Sequence, residues 1–159
     1  MDLPRLVADQ RHHFDSGITR PLGWRLHQLE RLRAAITQAE SRLLDALHED
    51  MRKPRQEAYA SEVGLVLAEI DHARGHLRRW ARPRRRRTPW LAWPGRSCVA
   101  PEPLGVCCIV GPWNYPVQLV LSPLVGAMAA GNCAVSKASE FAPATAQCIA
   151  DVIGSTFPP

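Results

Sequence analysis

An α/β fold is what this sequence predicts, on three observations. Apolar residues recur at intervals of three and four through the first half, the mark of helices with one buried face. Charge is unevenly placed: residues 1–96 hold 19 Lys and Arg against 12 Asp and Glu, a net +7, whereas residues 97–159 hold one against three, a net −2. The second half then runs strand, helix, strand, helix, the order of a doubly wound parallel sheet. The expected division is a helical segment over 1–81, a basic proline-rich connector over 82–102, and the first βαβα units of such a sheet over 103–159.

The first helix is read between Trp24 and Leu47, where Leu26, Leu29, Leu32, Ile36, Ala39, Leu43 and Leu47 form one stripe. Arg25, Glu30, Arg33, Gln38, Arg42 and Asp45 occupy the opposite side. Lys53-Pro54 ends it, because a residue before proline is pushed out of the helical region. A second helix is expected from about Glu57 to Trp80, with Val63, Val66, Leu67, Ile70, Ala73, Leu77 and Trp80 inward.

Prolines at 83, 89 and 94 make a continuous helix improbable through the connector, which is read as a loop with a short strand at most. Its run Arg82-Pro83-Arg84-Arg85-Arg86-Arg87 invites a phosphate-binding reading. No helix-turn-helix, zinc-finger or RNA-binding aromatic signature accompanies the run, and 18 of the 20 basic residues of the chain are Arg. A solvated loop, with no nucleic acid bound, is the preferred reading. His72 and His76 stand at i, i+4, but no third ligand is suggested and no metal site is expected.

Residues 103–136 contain no charged side chain. A membrane-spanning helix needs about 20 consecutive apolar residues; the prolines and Asn114 of GPWNYP (111–116) interrupt this stretch, so burial in a globular core is expected. Residues 104–110 are apolar on both faces, as in a central parallel strand. Residues 117–130 follow as a helix stopped by Gly131-Asn132. Residues 133–136 make the next strand, and 143–153 a helix opened by proline. In such sheets ligands sit outside the carboxyl ends of the strands, where GPWNYP and Lys137-Ala-Ser-Glu140 both fall. The dinucleotide fingerprint GxGxxG and the phosphate loop are absent.

Composition narrows the class further. With 159 residues, 46% of them apolar, the chain has enough material for a core and too much for a disordered tail. Its five cysteines are odd in number and lack CxxC spacing, which argues against a disulfide scaffold and for a cytoplasmic protein. Cys107, Cys108, Cys133 and Cys148 are read as small buried residues. The opening MDLPRLVADQ lacks the apolar stretch of a signal peptide.

The residues carry a resemblance. PLGVCCIVGPWNYPVQLVLSPLVGAMAAGN (103–132), followed by SKASEFAPATA (136–146), closely resembles the NAD(P)-dependent aldehyde dehydrogenases. The match is to their class 3 branch, which includes oxidisers of fatty and aromatic aldehydes. FDSGITR (14–20), the leucine-rich helix, DMRKP (50–54) and residues 62–69 look like the same branch, so the similarity runs over 14–159.

That resemblance implies an incomplete aldehyde dehydrogenase fold, with a Rossmann-like cofactor-binding domain beginning at 103. It implies that Asn114 donates to the oxygen of a thiohemiacetal as the oxyanion stabiliser. Gly111 and Trp113 fall on the cofactor side of the same loop, and Lys137 and Glu140 hold the adenosine ribose. Glu140 would repel a 2′-phosphate, so NAD is expected, with NADP the alternative. Ala138 and Ser136 depart from the family's usual proline and apolar residue. The family's nucleophilic cysteine and general-base glutamate lie beyond the matched region, and none of the five cysteines sits in the nucleophile motif. The chain therefore reads as an N-terminal fragment, inactive alone. An aldehyde is the expected substrate of the family, and a homodimer is one assembly the resemblance allows. The alternatives are a non-catalytic remnant docking on an intact homologue and, behind it, a basic nucleic-acid-binding module.

Overall fold

The computed structural model describes residues 2–157. Helix α1, Leu3–Asp15, precedes the predicted helices and is capped by Asp2, whose carboxylate accepts from the Arg5 amide at 3.3 Å. The sequence reading passed over it although Leu6, Val7, Gln10 and Phe14 recur at helical spacing and are half-buried; none of its residues is fully buried.

Helix α2, Leu22–Met51, has 30 residues, and the predicted stripe is its buried face: Leu29, Leu32, Ile36, Leu43 and Leu47 are wholly enclosed. It stops at Arg52, in the left-handed region with φ 55°, two residues before Pro54.

The second helix differs from the expected continuous one. Arg55–Ala58 (α3) passes into a π turn, Tyr59–Val63, before α4, Gly64–Trp80. A π turn inserts an extra residue into the helical path and re-aims the side chains on it. Both Glu62 and Val63 are buried there, ahead of Val66, Ile70, Ala73 and Leu77. Leu67 and Trp80, expected inward, are only partly buried.

The connector holds two short strands where one at most was expected. Strand β1, Arg84–Arg86, pairs antiparallel with β2, Ser97–Val99, and the arginines of β1 are solvent-exposed. The hairpin's link carries Trp90, Leu91 and Trp93, each about four-fifths exposed.

Strand β3, Val106–Val110, and strand β4, Cys133–Lys137, lie parallel with Val106 opposite Cys133 and Val110 opposite Lys137. Helix α5, Gln118–Ala130, connects them, and α6, Pro143–Thr156, follows β4. Gly131 ends α5 at φ 88°, as Gly131-Asn132 predicts. A Cβ there would also press on the Arg25 guanidinium. That guanidinium donates to the carbonyls of Thr19 and Arg20 and, at 3.4 Å, of Ala129, placing a cation at the helix's negative end.

One core runs through α2, α4, α5 and α6 and takes in Ile109 of β3. Strand β3 is less enclosed than a central strand: Cys108 and Val110 are exposed and Cys107 half-buried. Only Cys133 and Cys148 match the expectation of buried thiols. The reason is that, among the described residues, β3 pairs with β4 alone. Helix α1 leaves an open groove of about 480 Å³ against residues 104–108. No helix among the described residues is long and apolar enough to cross a membrane.

Candidate functional site

The two loops singled out in the sequence leave the sheet side by side. Beyond the last strand pair, the Gly111 amide donates to the Lys137 carbonyl at 2.9 Å, extending the ladder by one rung. The chain after β3 and the chain after β4 therefore start from one edge. This is where a parallel sheet presents ligands.

Gly111 is buried and could carry no side chain, since a Cβ would overlap Cγ2 of Val120 in the first turn of α5. The absence of that atom lets the strand tip lie directly against the helix it feeds. Pro112, Trp113, Asn114 and Tyr115 are exposed, and the chain turns inward again at Pro116 and Val117. Trp113 is 58% exposed.

Among the described residues, the Asn114 side chain makes no hydrogen bond. A loop-capping amide would spend its donors and acceptor on nearby backbone. Asn132 does so: its Oδ1 accepts from the Leu104 and Gly105 amides at 2.7 and 3.0 Å. Asn114 keeps its amide free and open to solvent.

Lys137 ends β4, and its Nζ donates to a carboxylate oxygen of Glu140 at 2.6 Å; both side chains are more than half exposed. The turn between them is tied by Ser139, whose Oγ accepts from the Phe141 amide at 3.2 Å. Ser139 thus supplies order to a turn that lacks proline at 138. The Lys137 ammonium, helped by the backbone amide of Glu140, holds the Glu140 carboxyl below its ordinary range. A lowered carboxyl pKa means the pair is intact at neutral pH and is lost as acid protonates Glu140. Carboxyl NMR titration is expected to find Glu140 below the ordinary glutamate midpoint. In Lys137→Met that midpoint should move up; an unmoved midpoint would contradict the assignment.

Two carboxylates that the sequence analysis did not single out fix the helices behind these loops. Neither α5 nor α6 has a side-chain cap from its own N-cap residue, Val117 and Ala142. Their orphan amides are met instead from the helical half. Glu62 accepts from the Val117 amide at 2.8 Å and, more weakly, from Gln118 at 3.4 Å. Asp50, at the end of α2, accepts from Ala144 and Thr145 at 3.1 and 2.8 Å. Glu62 also pairs with Lys53 at 2.5 Å, and that ammonium lies 4.3 Å from the centroid of the Tyr115 ring. A signal for Glu62 did exist: it sits on the apolar stripe of the second helix, four residues before Val66 and eight before Ile70. Nothing in the sequence marked Asp50 beyond its place in DMRKP.

The thiols lie elsewhere in the chain. Burial pushes the Cys133 thiol up, aided by neighbouring Cys107. Burial does the same to Cys148 against the opposing pull of Arg42. Thiols raised in this way are poor nucleophiles. No group of three or more His, Cys, Asp and Glu suited to a metal occurs among the described residues.

Comparison with known proteins adds the following. The pattern of the aldehyde dehydrogenase family matches residues 2–159. Aldehyde dehydrogenase family 3 member A2 of Rattus norvegicus is 43% identical over 151 residues, covering 95% of this chain and 31% of that protein. The substrate-bound structure of Staphylococcus aureus AldH superposes with a TM-score of 0.95 at 39% identity, over 99% of this chain and 35% of that one. Pseudomonas syringae aldehyde dehydrogenase C, solved as a C291A mutant with NAD+ and octanal, gives a TM-score of 0.81 at 26% identity, over 99% and 31%. The chain thus spans about a third of the length of the relatives it matches.

Proposed function

The chain belongs to the aldehyde dehydrogenase family, and from that premise we propose that it supplies the oxyanion-stabilising and ribose-holding edge of an enzyme oxidising aldehydes to carboxylic acids. The Gly111–Lys137 hydrogen bond carries the reading, because it brings the Asn114 loop and the Lys137–Glu140 turn to one strand edge. Asn114 donates its free side-chain amide to the oxygen that becomes negative when a thiol adds to the aldehyde carbonyl. A preorganised donor of that kind typically contributes about 2.7–4 kcal/mol of barrier lowering.

The residues at the other loop fit a dinucleotide. An ionised Glu140 is a pure acceptor suited to ribose hydroxyls, and Lys137 beside it is a pure donor. A carboxylate at that position disfavours a 2′-phosphate, so NAD is preferred over NADP. When bound, the cofactor supplies the two-electron acceptor. Trp113, exposed beside Asn114, offers an apolar flank, and Gly111 serves the same loop by letting the strand tip lie against α5. Residues 103–159 on this reading begin the cofactor-binding domain, behind the helical segment 1–81 and the connector 82–102.

Neither partner for covalent chemistry is assigned within these residues. Cys133 and Cys148 are buried and their thiols raised, and no cysteine falls in either loop. The purified 159-residue chain is therefore expected to form no NADH from aromatic or medium-chain aldehydes. Turnover that disappears in Asn114→Ala would contradict this.

A second reading, that the chain associates with a copy of itself or an intact homologue, is favoured by one observation. Among the described residues β3 pairs with β4 alone, and Val110 at its end is 66% exposed, so β3 offers an open pairing edge. Size-exclusion chromatography across a concentration series is expected to show association; a monomer throughout would exclude it.

A further inference from the structure

We propose that Lys53 and Glu62 are positioning residues that set the attitude of the loop bearing Asn114, acting through the α5 amides and the Tyr115 ring. Glu62 is fully buried and the Lys53 side chain only 9% exposed. One carboxylate oxygen takes the Lys53 ammonium; the other takes the amides of Val117 and Gln118. The ammonium in turn faces Tyr115, the residue next to Asn114. The loop is thus gripped on both sides of buried Pro116, one residue from the amide it presents.

Economy of folding does not explain this arrangement. Burying an ion pair strips both groups of water, and a well-packed apolar pair of similar volume often folds as well or better. A helix start can be capped far more simply, as Asp50 does for α6 without a buried cation. What the Lys53–Glu62 pair adds is direction. A carboxylate accepting on both oxygens has its plane fixed, and an ammonium shared between carboxylate and ring ties the loop to the same point. Glu62 lies within the π turn Tyr59–Val63, and π turns often mark functional sites.

The idea rests on the reading of Asn114 given above, so the test must separate the two. Backbone amide exchange and side-chain NMR signals are to be compared in the 159-residue chain, in Glu62→Gln, in Lys53→Met and in the double variant. A glutamine in place of Glu62 has one acceptor and one donor, so it must present its NH2 either to the ammonium or to the α5 amide. Glu62→Gln is expected to speed exchange at Val117 by about tenfold or more, with smaller acceleration at Gln118, the scale of a lost charge-assisted bond. The Asn114 side-chain NH2 signals should shift, while Ala144 and Thr145, held by Asp50, should keep their protection. In Lys53→Met/Glu62→Gln the donor conflict disappears, so Val117 protection should return to within about threefold of the parent, while the Tyr115 ring signals stay displaced.

Unchanged exchange at Val117 in Glu62→Gln would overturn the proposal. So would equal acceleration at all four amides, or a double variant no better protected than Glu62→Gln. Should Glu62→Gln not fold, the double variant decides alone: protected Val117 with displaced Tyr115 signals supports the proposal, and unprotected Val117 overturns it. Asn114→Ala leaves Val117 protected if positioning runs from Glu62 to the loop, whatever chemistry Asn114 performs.

Discussion

Truncation of Glu62 to alanine is expected to cost about 3–5 kcal/mol of folding stability, the range for removing one partner of a buried ion pair. Three losses combine. Lys53 is left buried with its charge unpaired, the Val117 and Gln118 amides lose their acceptor, and a void opens beneath the π turn. Against a typical total of 5–15 kcal/mol, that loss is severe. Two comparisons bracket it. Asp50→Ala removes a cap from α6 without stranding a buried cation, and should cost about 0.5–2 kcal/mol. Asp71→Ala breaks a pair with Arg33 in which both side chains are more than a third exposed and solvent-screened, and should cost the least of the three. Urea unfolding of the three variants is expected to rank them in that order; a Glu62→Ala chain as stable as Asp71→Ala would contradict the buried-pair account.

The second large effect concerns catalysis. A chimera in which this segment replaces the corresponding portion of Staphylococcus aureus AldH, 39% identical to it and superposing at a TM-score of 0.95, joins the segment to a complete enzyme. In that setting Asn114→Ala is expected to lower kcat by about 10²–10³, the effect of removing one oxyanion donor. The reason is local. Among the described residues Asn114 has no hydrogen-bonding duty, so its loss should leave the fold intact and remove only stabilisation of developing charge. Steady-state rates with a medium-chain aldehyde, alongside a melting curve, measure both.

Much of this was legible in the sequence because periodicity and punctuation are local. The stripe Leu29–Leu32–Ile36–Leu43–Leu47 marked α2, Pro54 its end, and Gly131 the stop of α5. The run of 104–110 identified a strand, but its enclosure was overestimated: apolarity records what a surface is suited to meet, and Cys108 and Val110 stay exposed among the described residues. The π turn was invisible, since an inserted residue within YASEV disturbs no composition. The loops at the strand tips were named from the sequence, yet their supports were not. Glu62 and Asp50 act over 55 and 94 residues of separation, and only the fold brings a carboxylate to a distant helix start.

The most direct trial of a shared strand edge with two separate duties is a kinetic comparison of Asn114→Ala and Glu140→Gln in the same chimera. The first should lower kcat while leaving the KM for NAD+ within about twofold, as expected when a group acts only at the transition state. The second should raise the KM for NAD+ with kcat largely kept. Folded chimeras in which Asn114→Ala leaves kcat unchanged, or in which Glu140→Gln leaves the KM for NAD+ unchanged, would contradict the assignment of that edge.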